Sequence, residues 1–174
     1  MDGELRDVLA AIATRRSVRS YLPVRLGRET VQRLLAAAVR APTAIHEEQW
    51  AFVVLQGAAS LKALSAQIYP AGDSNLFHGA DTLVLICTPP MGPYVVADCW
   101  LASANLMLAA HALGLGSCVI GSAIEGLNRP EVKLQLGVPA DMNVVVPLVL
   151  GVPREQGMPT PRKPPQVLSW QENT

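Results

Sequence analysis

Charge is scarce in this chain. Only 16% of its 174 residues are Asp, Glu, Lys or Arg, and 14 basic residues balance 14 acidic ones to a formal net charge of zero. That balance argues against nucleic acid as a main partner, because a polyanion is met by a basic face. Cysteine is scarce too. Cys87, Cys99 and Cys118 are odd in number, lie in apolar stretches and lack metal-ligand spacing, so they read as buried reduced thiols of a cytoplasmic protein. The three histidines, His46, His78 and His111, include no pair spaced as ligands on one helix, which argues against a metal site. Met1-Asp2-Gly3-Glu4 is acidic and opens no apolar h-region, so no signal peptide is expected. No uncharged apolar run reaches bilayer length, the most apolar stretch being interrupted by Asp98, Asn105 and His111. There is no Gly-x-Ser-x-Gly elbow, P-loop, dinucleotide fingerprint or internal repeat. Gly114-Leu115-Gly116 follows a helix pattern and precedes a strand pattern, the reverse of the order a dinucleotide motif needs.

What the chain has in quantity is apolar surface. Half of its residues are hydrophobic, enough for one domain with a sizeable core and a hint of surface buried in an oligomer. Residues 3–14 have the spacing of a helix, with Leu5, Val8, Leu9 and Ile12 on one face. A second helix opens at Arg28-Glu29-Thr30, carries Val31, Leu34, Leu35, Ala38 and Val39 as its stripe, and is stopped by Pro42. Trp50–Leu55 reads as a buried strand, 59–69 as a short helix and Thr82–Cys87 as a second strand. Val95–Leu113 is a helix apolar on most sides, so it belongs at the centre or at a subunit interface, and Gly114 fits its C-terminal cap. Ser117–Ile120 and Val144–Leu150 read as strands, with a short helix at 131–136 between them. The tail from Pro153 is too rich in proline for a helix or central strand and is expected to wrap on the surface. Alternating strands and helices, taken alone, suggest a layered α/β fold.

Against this neutral background, Arg15-Arg16-Ser17-Val18-Arg19-Ser20-Tyr21 stands out. Three arginines and two serines fall within seven residues. Guanidinium forks and hydroxyls converging at one place suit a phosphate monoester. The alternative is a helix C-terminus, where arginine faces the negative end of the dipole. No acid, base or nucleophile stands out elsewhere, His46 in its polar loop beside Glu47 and Glu48 being the nearest to an exception. A chain with an anion site and no catalytic side chain points to a bound cofactor that carries the chemistry.

Several stretches, in order, resemble the nitroreductase family of FMN-dependent oxidoreductases. They are Arg15-Arg16-Ser17-Val18-Arg19, Arg40-Ala41-Pro42-Thr43-Ala44, and Gln49-Trp50-Ala51-Phe52-Val53-Val54. Asp98–Gly121, containing Ala109–Ser117, is similar to the family's central helix and following strand, and Val149–Pro153 with Arg162, Lys163 and Trp170 to its C-terminal end. The resemblance implies an α+β fold: a three-layer sandwich with a mainly antiparallel sheet flanked by helices. It implies one flavin-binding domain over residues 1–174 and a domain-swapped homodimer in which the tail, 153–174, wraps the partner. It also implies FMN at the subunit interface, with hydride passing from NAD(P)H through flavin N5 to a small acceptor such as a nitroaromatic or quinone, in ping-pong order.

Carried over by position, Arg15, Arg16 and Ser17 would hold the FMN phosphate and ribityl chain, joined by Arg162. Arg19 would approach the pyrimidine edge and stabilise the anionic reduced flavin. Pro42, Thr43 and Ala44 would lie along the ring from the other subunit, and Ile120, Gly121 and Ser122 would face its other side. His46 stands where many members have Asn, Glu48 and Gln49 replace Gln and Pro, and Gly121 replaces an acidic residue near the end of the third strand. Those departures at the ring keep open a flavin-binding member without reductase turnover, acting as sensor or flavin carrier.

Overall fold

The computed structural model describes residues 8–44, 48–70, 75–155, 157–158 and 160–172. Within them the chain forms α1 (Val8–Thr14), α2 (Arg28–Ala38), β1 (Ala51–Gln56), α3 (Ala58–Ile68), β2 (Thr82–Thr88), α4 (Pro93–Ala112), β3 (Gly116–Val119), a 3-10 turn at Gly121–Ala123, α5 (Ile124–Leu127), α6 (Pro130–Leu136) and β4 (Asn143–Gly151). The four strands form one sheet in the order β1-β2-β4-β3. Every pair is antiparallel, with Val53 opposite Leu85, Val84 opposite Leu148 and Cys118 opposite Val149. The parallel sheet that a plain α/β reading implies is therefore absent, and the α+β architecture stands.

Period-two alternation along β2 builds both faces of the sheet at once. Leu83, Leu85 and Cys87 enter one core with Leu61, Leu64 and Ile68 of α3 and Leu127 and Val132 of α5 and α6. Val84 and Ile86 enter the other with Val31 and Leu34 of α2 and Cys99, Ala102 and Leu106 of α4. Leu83, Leu85, Ile86 and Leu106 are wholly inaccessible, each contributing about 1.5–3 kcal/mol by burial. Helices thus cover both faces, and three layers result.

Two expectations need correction. The Trp50–Leu55 strand is the sheet's edge rather than a buried strand: β1 is half-buried and Val54 is 38% exposed. The apolar stripe of the first helix does not enter the core of its own chain. Val8, Leu9 and Ile12 are 69%, 78% and 55% exposed, while Leu5 lies outside the described residues. The 3-10 turn and α5 were not foreseen, because Gly121 and Gly126 hide a helical pattern this short.

α4 is long and apolar enough to span a bilayer by length and composition, yet one of its faces lies in the core. Val95, Asp98, Cys99, Ala102, Ser103, Leu106 and Ala110 are buried. Its opposite side presents Tyr94, Val96, Trp100 and Leu101 to solvent in the single chain. α4 ends in a Schellman motif, with Leu115 N–H donating to Ala110 O and Gly114 N–H to His111 O. Gly114, at φ +74°, supplies the left-handed step. Residues 160–172 are neither helix nor strand and are exposed throughout.

Candidate cofactor site

α1 ends at Thr14, and the cationic stretch that follows is not its last turn. It runs beside the sheet edge. Ser17 bridges Ser117 in parallel and Tyr21 bridges Pro153 antiparallel. Val18 N–H donates to Ser117 O at 2.9 Å, Leu22 N–H to Val152 O at 2.9 Å, and Arg154 N–H to Ser20 O at 3.0 Å. Two glycines permit this close approach. A Cβ on Gly116 would lie 2.8 Å from Val18 Cγ2, and one on Gly151 would lie 2.9 Å from Tyr21 Cδ1. The stretch is therefore a rail fixed at both ends; the helix-terminus explanation holds for Arg16, which donates to Ala13 O in the last turn of α1.

Val18 and Tyr21 both pack into the core, while Arg15, Ser17 and Arg19 lie close enough to Cys118 of β3 to act on its thiol. Burial pushes the Cys118 thiol above its ordinary range, while Arg19, a side-chain hydrogen bond with Ser17, and Arg15 all act against that rise. Burial likewise raises the Tyr21 phenol, Cys118 adding to the effect and Arg19 opposing it. Tyr21 is 3% exposed and its hydroxyl donates to Val18 O at 2.7 Å. Two guanidiniums and a hydroxyl are thus gathered over a neutral floor of protonated thiol and phenol. Ser17 and Arg19 are exposed and Arg15 is half-buried.

Arg16 is engaged by backbone carbonyls. Its Nη1 donates to Ala13 O at 3.0 Å and Arg15 O at 2.6 Å, and its Nε donates to Met158 O at 3.2 Å. Those bonds join the end of α1 to the start of the tail. Arg15 and Arg16 both line a cavity of about 290 Å³, with Thr14, Val18, His111 and Glu155 among others. Thr14 Oγ1 is 2.8 Å from His111 Nε2, which fastens the rail to the C-terminal end of α4.

Beyond Cys118, β3 leads directly to the second expected wall. Ile120 is buried and donates its N–H to Pro147 O at 2.9 Å. Gly121 and Ser122 are exposed, and a Cβ on Gly121 would meet nothing within 4 Å, so the space beside this backbone is open.

The third stretch is elsewhere. Pro42 and Ala44 are exposed, Thr43 is half-buried, and Ala44 N–H donates to both carboxylate oxygens of Asp98 at 3.3 Å. Asp98 and His111 are thirteen residues apart on α4, about 20 Å of helix axis. Within one protomer, Pro42–Ala44 and the Arg15–Arg19 rail therefore stand at opposite ends of α4. Arg162 is exposed in the extended tail, and no hydrogen bond joins it to the rail among the described residues. His46 lies outside the described residues.

Three participants were not singled out as site residues in the sequence: Cys118 under the rail, Thr14 at its root, and Asp98 beneath the loop. Asp98 had a signal, as the one charged residue of α4. Cys118 had one only if the rail is recognised as extended. The cysteines are free and buried as expected, and among the described residues no group of His, Cys, Asp or Glu could hold a metal.

Comparison with known proteins bears on this arrangement. The Nitroreductase family model matches residues 12–152. A protein of Methanothermobacter thermautotrophicus, named for NADH dehydrogenase and NAD(P)H nitroreductase activity, is 32% identical over 161 residues, 81% of this chain and 83% of its own. The FMN reductase (NAD(P)H) of Bacillus subtilis is 25% identical over 190 residues, 97% of this chain and 74% of its own. Among solved structures, a nitroreductase of Bacteroides fragilis with bound FMN superposes with a TM-score of 0.81 at 25% identity, covering 97% of this chain and all of that one. An FMN-bound nitroreductase of Desulfitobacterium hafniense shares the fold at TM-score 0.80 and 22% identity, covering 91% of this chain and 95% of that one.

Proposed function

The chain belongs to the nitroreductase family, and from that premise we propose that it is an FMN-dependent oxidoreductase that moves electrons from NAD(P)H to a small acceptor such as a nitroaromatic or quinone. The observation that carries the reading is the rail. Arg15, Ser17 and Arg19 bring their donors together around Cys118 within five residues. The donor set fits FMN: charge-assisted donors suit its phosphate, hydroxyl and backbone groups its ribityl chain, and the open backbone at Gly121–Ser122 the edge of a flat ring. FMN held here would supply hydride chemistry at N5 between NAD(P)H and an acceptor that takes its place in turn, in ping-pong order. The protein supplies binding, orientation and charge. Arg15 and Ser17 hold the phosphate and ribityl end, with Arg162 from the tail. Arg19 places positive charge where electron density accumulates on reduction, worth most in a site that excludes water. No protein nucleophile is required.

The active unit is a homodimer. The groups that hold the loop and the root of the rail, Asp98 and His111, stand about 20 Å apart along α4 in one chain, which favours a flavin shared by two protomers. Val8, Leu9 and Ile12 of α1 and Tyr94, Trp100 and Leu101 of α4 are exposed on the single chain, as are Val167, Leu168 and Trp170 of the tail. Their contiguous burial is what an obligate interface offers. All of 1–174 is then one flavin-binding domain whose tail wraps its partner. Three free buried thiols suit the reducing cytoplasm.

The test is an absorption spectrum of the purified protein before and after anaerobic addition of NADH, then NADPH. A flavin spectrum that bleaches, with turnover on a quinone or nitroaromatic, supports the reading. A colourless protein that takes up no added FMN overturns it, and a bound flavin that neither nicotinamide bleaches turns it into a flavin-binding role without reductase turnover.

A further inference from the structure

Asp98 is the only Asp, Glu, Lys or Arg in the twenty residues of α4, and it is 7% exposed. A buried carboxylate is costly unless donors meet it, and an apolar residue would pack in such a place at lower cost. The donor that meets it among the described residues is the Ala44 amide, 3.3 Å from both carboxylate oxygens. Ala44 itself is exposed, so an exposed loop is tied through its backbone to a buried side chain. Seven residues on, hence on the same face of the helix, Asn105 Nδ2 donates to Ala37 O at 3.4 Å, at the end of α2. The two polar side chains of this face of α4 thus grip both ends of one segment, 37–44. One gives a hydrogen bond to a helix-terminal carbonyl, and the other takes one from a loop amide.

We infer that Asp98 is a positioning residue that holds Pro42–Ala44 at one fixed place on α4, and so presents that loop to the flavin ring bound by the other protomer's rail. The inference rests on the proposed reading of the loop as ring-facing. The physical argument is one of population. Residues 39–41 are held by backbone bonds to the end of α2 and by the burial of Ala41, but residues 42–44 belong to no helix or strand, and a loop freed from its anchor samples many backbone states. Apparent affinity for the ring then falls in proportion to the fraction of loops that remain in place.

Three readouts on the full-length protein test this, with D98A, D98N and R15A compared with wild type. The first is hydrogen exchange at the Ala44 amide in the flavin-free protein. The second is FMN affinity by fluorescence titration, and the third is riboflavin affinity by the same means. The wild-type Ala44 amide is expected to exchange slowly, and D98A to release it and weaken FMN about tenfold, the scale of one hydrogen bond to a charged group. Riboflavin affinity should fall by the same factor, because the loop touches the ring and not the phosphate. D98N keeps an accepting oxygen and should retain most of both protections. R15A should weaken FMN, spare riboflavin and leave Ala44 exchange unchanged. An Ala44 amide that exchanges freely in wild type overturns the inference without any variant, which covers a D98A that does not fold. FMN and riboflavin bound equally by wild type and D98A overturn it as well, while leaving the flavin reading intact. A wild type that binds no FMN brings down that reading and the role of Asp98 within it.

Discussion

Val18 occupies the space that a side chain on Gly116 would need: a Cβ there would fall 2.8, 2.9 and 3.0 Å from Val18 Cγ2, Cβ and Cγ1. The relationship couples a strand residue to the rail that we propose holds the cofactor. In G116A the rail must lift from β3, stretching the Val18 N–H to Ser117 O bond. The expected cost is about 1–3 kcal/mol of stability, typical of an overpacked contact, together with weaker FMN binding. Because Val18 is the obstacle, V18A/G116A should recover part of both losses, and a double-mutant cycle in urea should show coupling between the two sites. Additive losses would mean that the rail's position does not depend on this contact.

The backbone partners of Arg16 predict unequal roles for the arginines of the rail. R15A should lose about 1.5–3 kcal/mol of FMN binding, the value of a hydrogen bond to a charged group, and lose none for riboflavin. R16A should barely change the FMN preference. Its guanidinium is engaged by Ala13, Arg15 and Met158 carbonyls, so its removal should instead increase proteolysis at the start of the tail. Fluorescence titration with both ligands separates the cases, and equal loss of FMN preference in R15A and R16A would contradict this division of roles.

Much of this was legible in the residues, and the rest was hidden for physical reasons. β2, β4 and α4 are strongly patterned and fall within a residue or two of the expected limits. Sheet direction was not legible, because alternating helices and strands serve parallel and antiparallel sheets alike; only the family resemblance supplied it. The apolar stripe Val8, Leu9 and Ile12 was legible as a stripe, but periodicity shows that a face is covered and not by which chain. Arg15–Arg19 was legible as a cationic cluster, yet its extended course depends on Ser17 and Tyr21 bridging residues that lie a hundred or more positions away in sequence. Asp98 was visible as a charge in an apolar helix, while its partner, a backbone amide of Ala44, carries no sequence signal at all.

The thiols fix how stability responds to alkali. Burial pushes Cys87 up to about 11 and Cys99 up to about 12, and raises Tyr21 and Cys118 as well. A group whose proton is held more tightly when folded contributes stability that is complete below its unfolded pKa, about 8.5 for a thiol. That stability is lost as pH rises through the folded value. Thermal melts should therefore show no thiol-linked change between pH 6 and 8 and a fall in Tm from about pH 9 that continues to about pH 12. The same burial makes the thiols inert. At pH 8 a disulfide reagent should label none of Cys87, Cys99 and Cys118 in the native protein and all three in denaturant. Rapid native labelling of any of them would contradict the burial.

The separation along α4 of the anchors of the rail and of the Pro42–Ala44 loop leads us to expect that FMN binding requires a dimer. If each flavin is held by the rail of one protomer and the loop of its partner, two defective chains can make one good site. A chain carrying R15A and R19A lacks a rail but keeps its loop, and a chain carrying D98A keeps its rail but lacks an anchored loop. Each homodimer should bind FMN poorly. Mixed dimers pair the intact rail of the D98A chain with the intact loop of the R15A/R19A chain, and so restore one of the two sites. Titration of the isolated mixed dimer should then show about half a tight site per chain, and at limiting FMN the mixture should show more NAD(P)H turnover than either parent. A charge placed in the exposed apolar stripe, such as Ile12→Asp, should convert dimer to monomer by sedimentation and abolish tight FMN binding, although Ile12 has no place in the rail. A monomer that keeps tight FMN would show that one chain completes its own site, and the 20 Å argument along α4 would have to yield to a loop that reaches the rail directly.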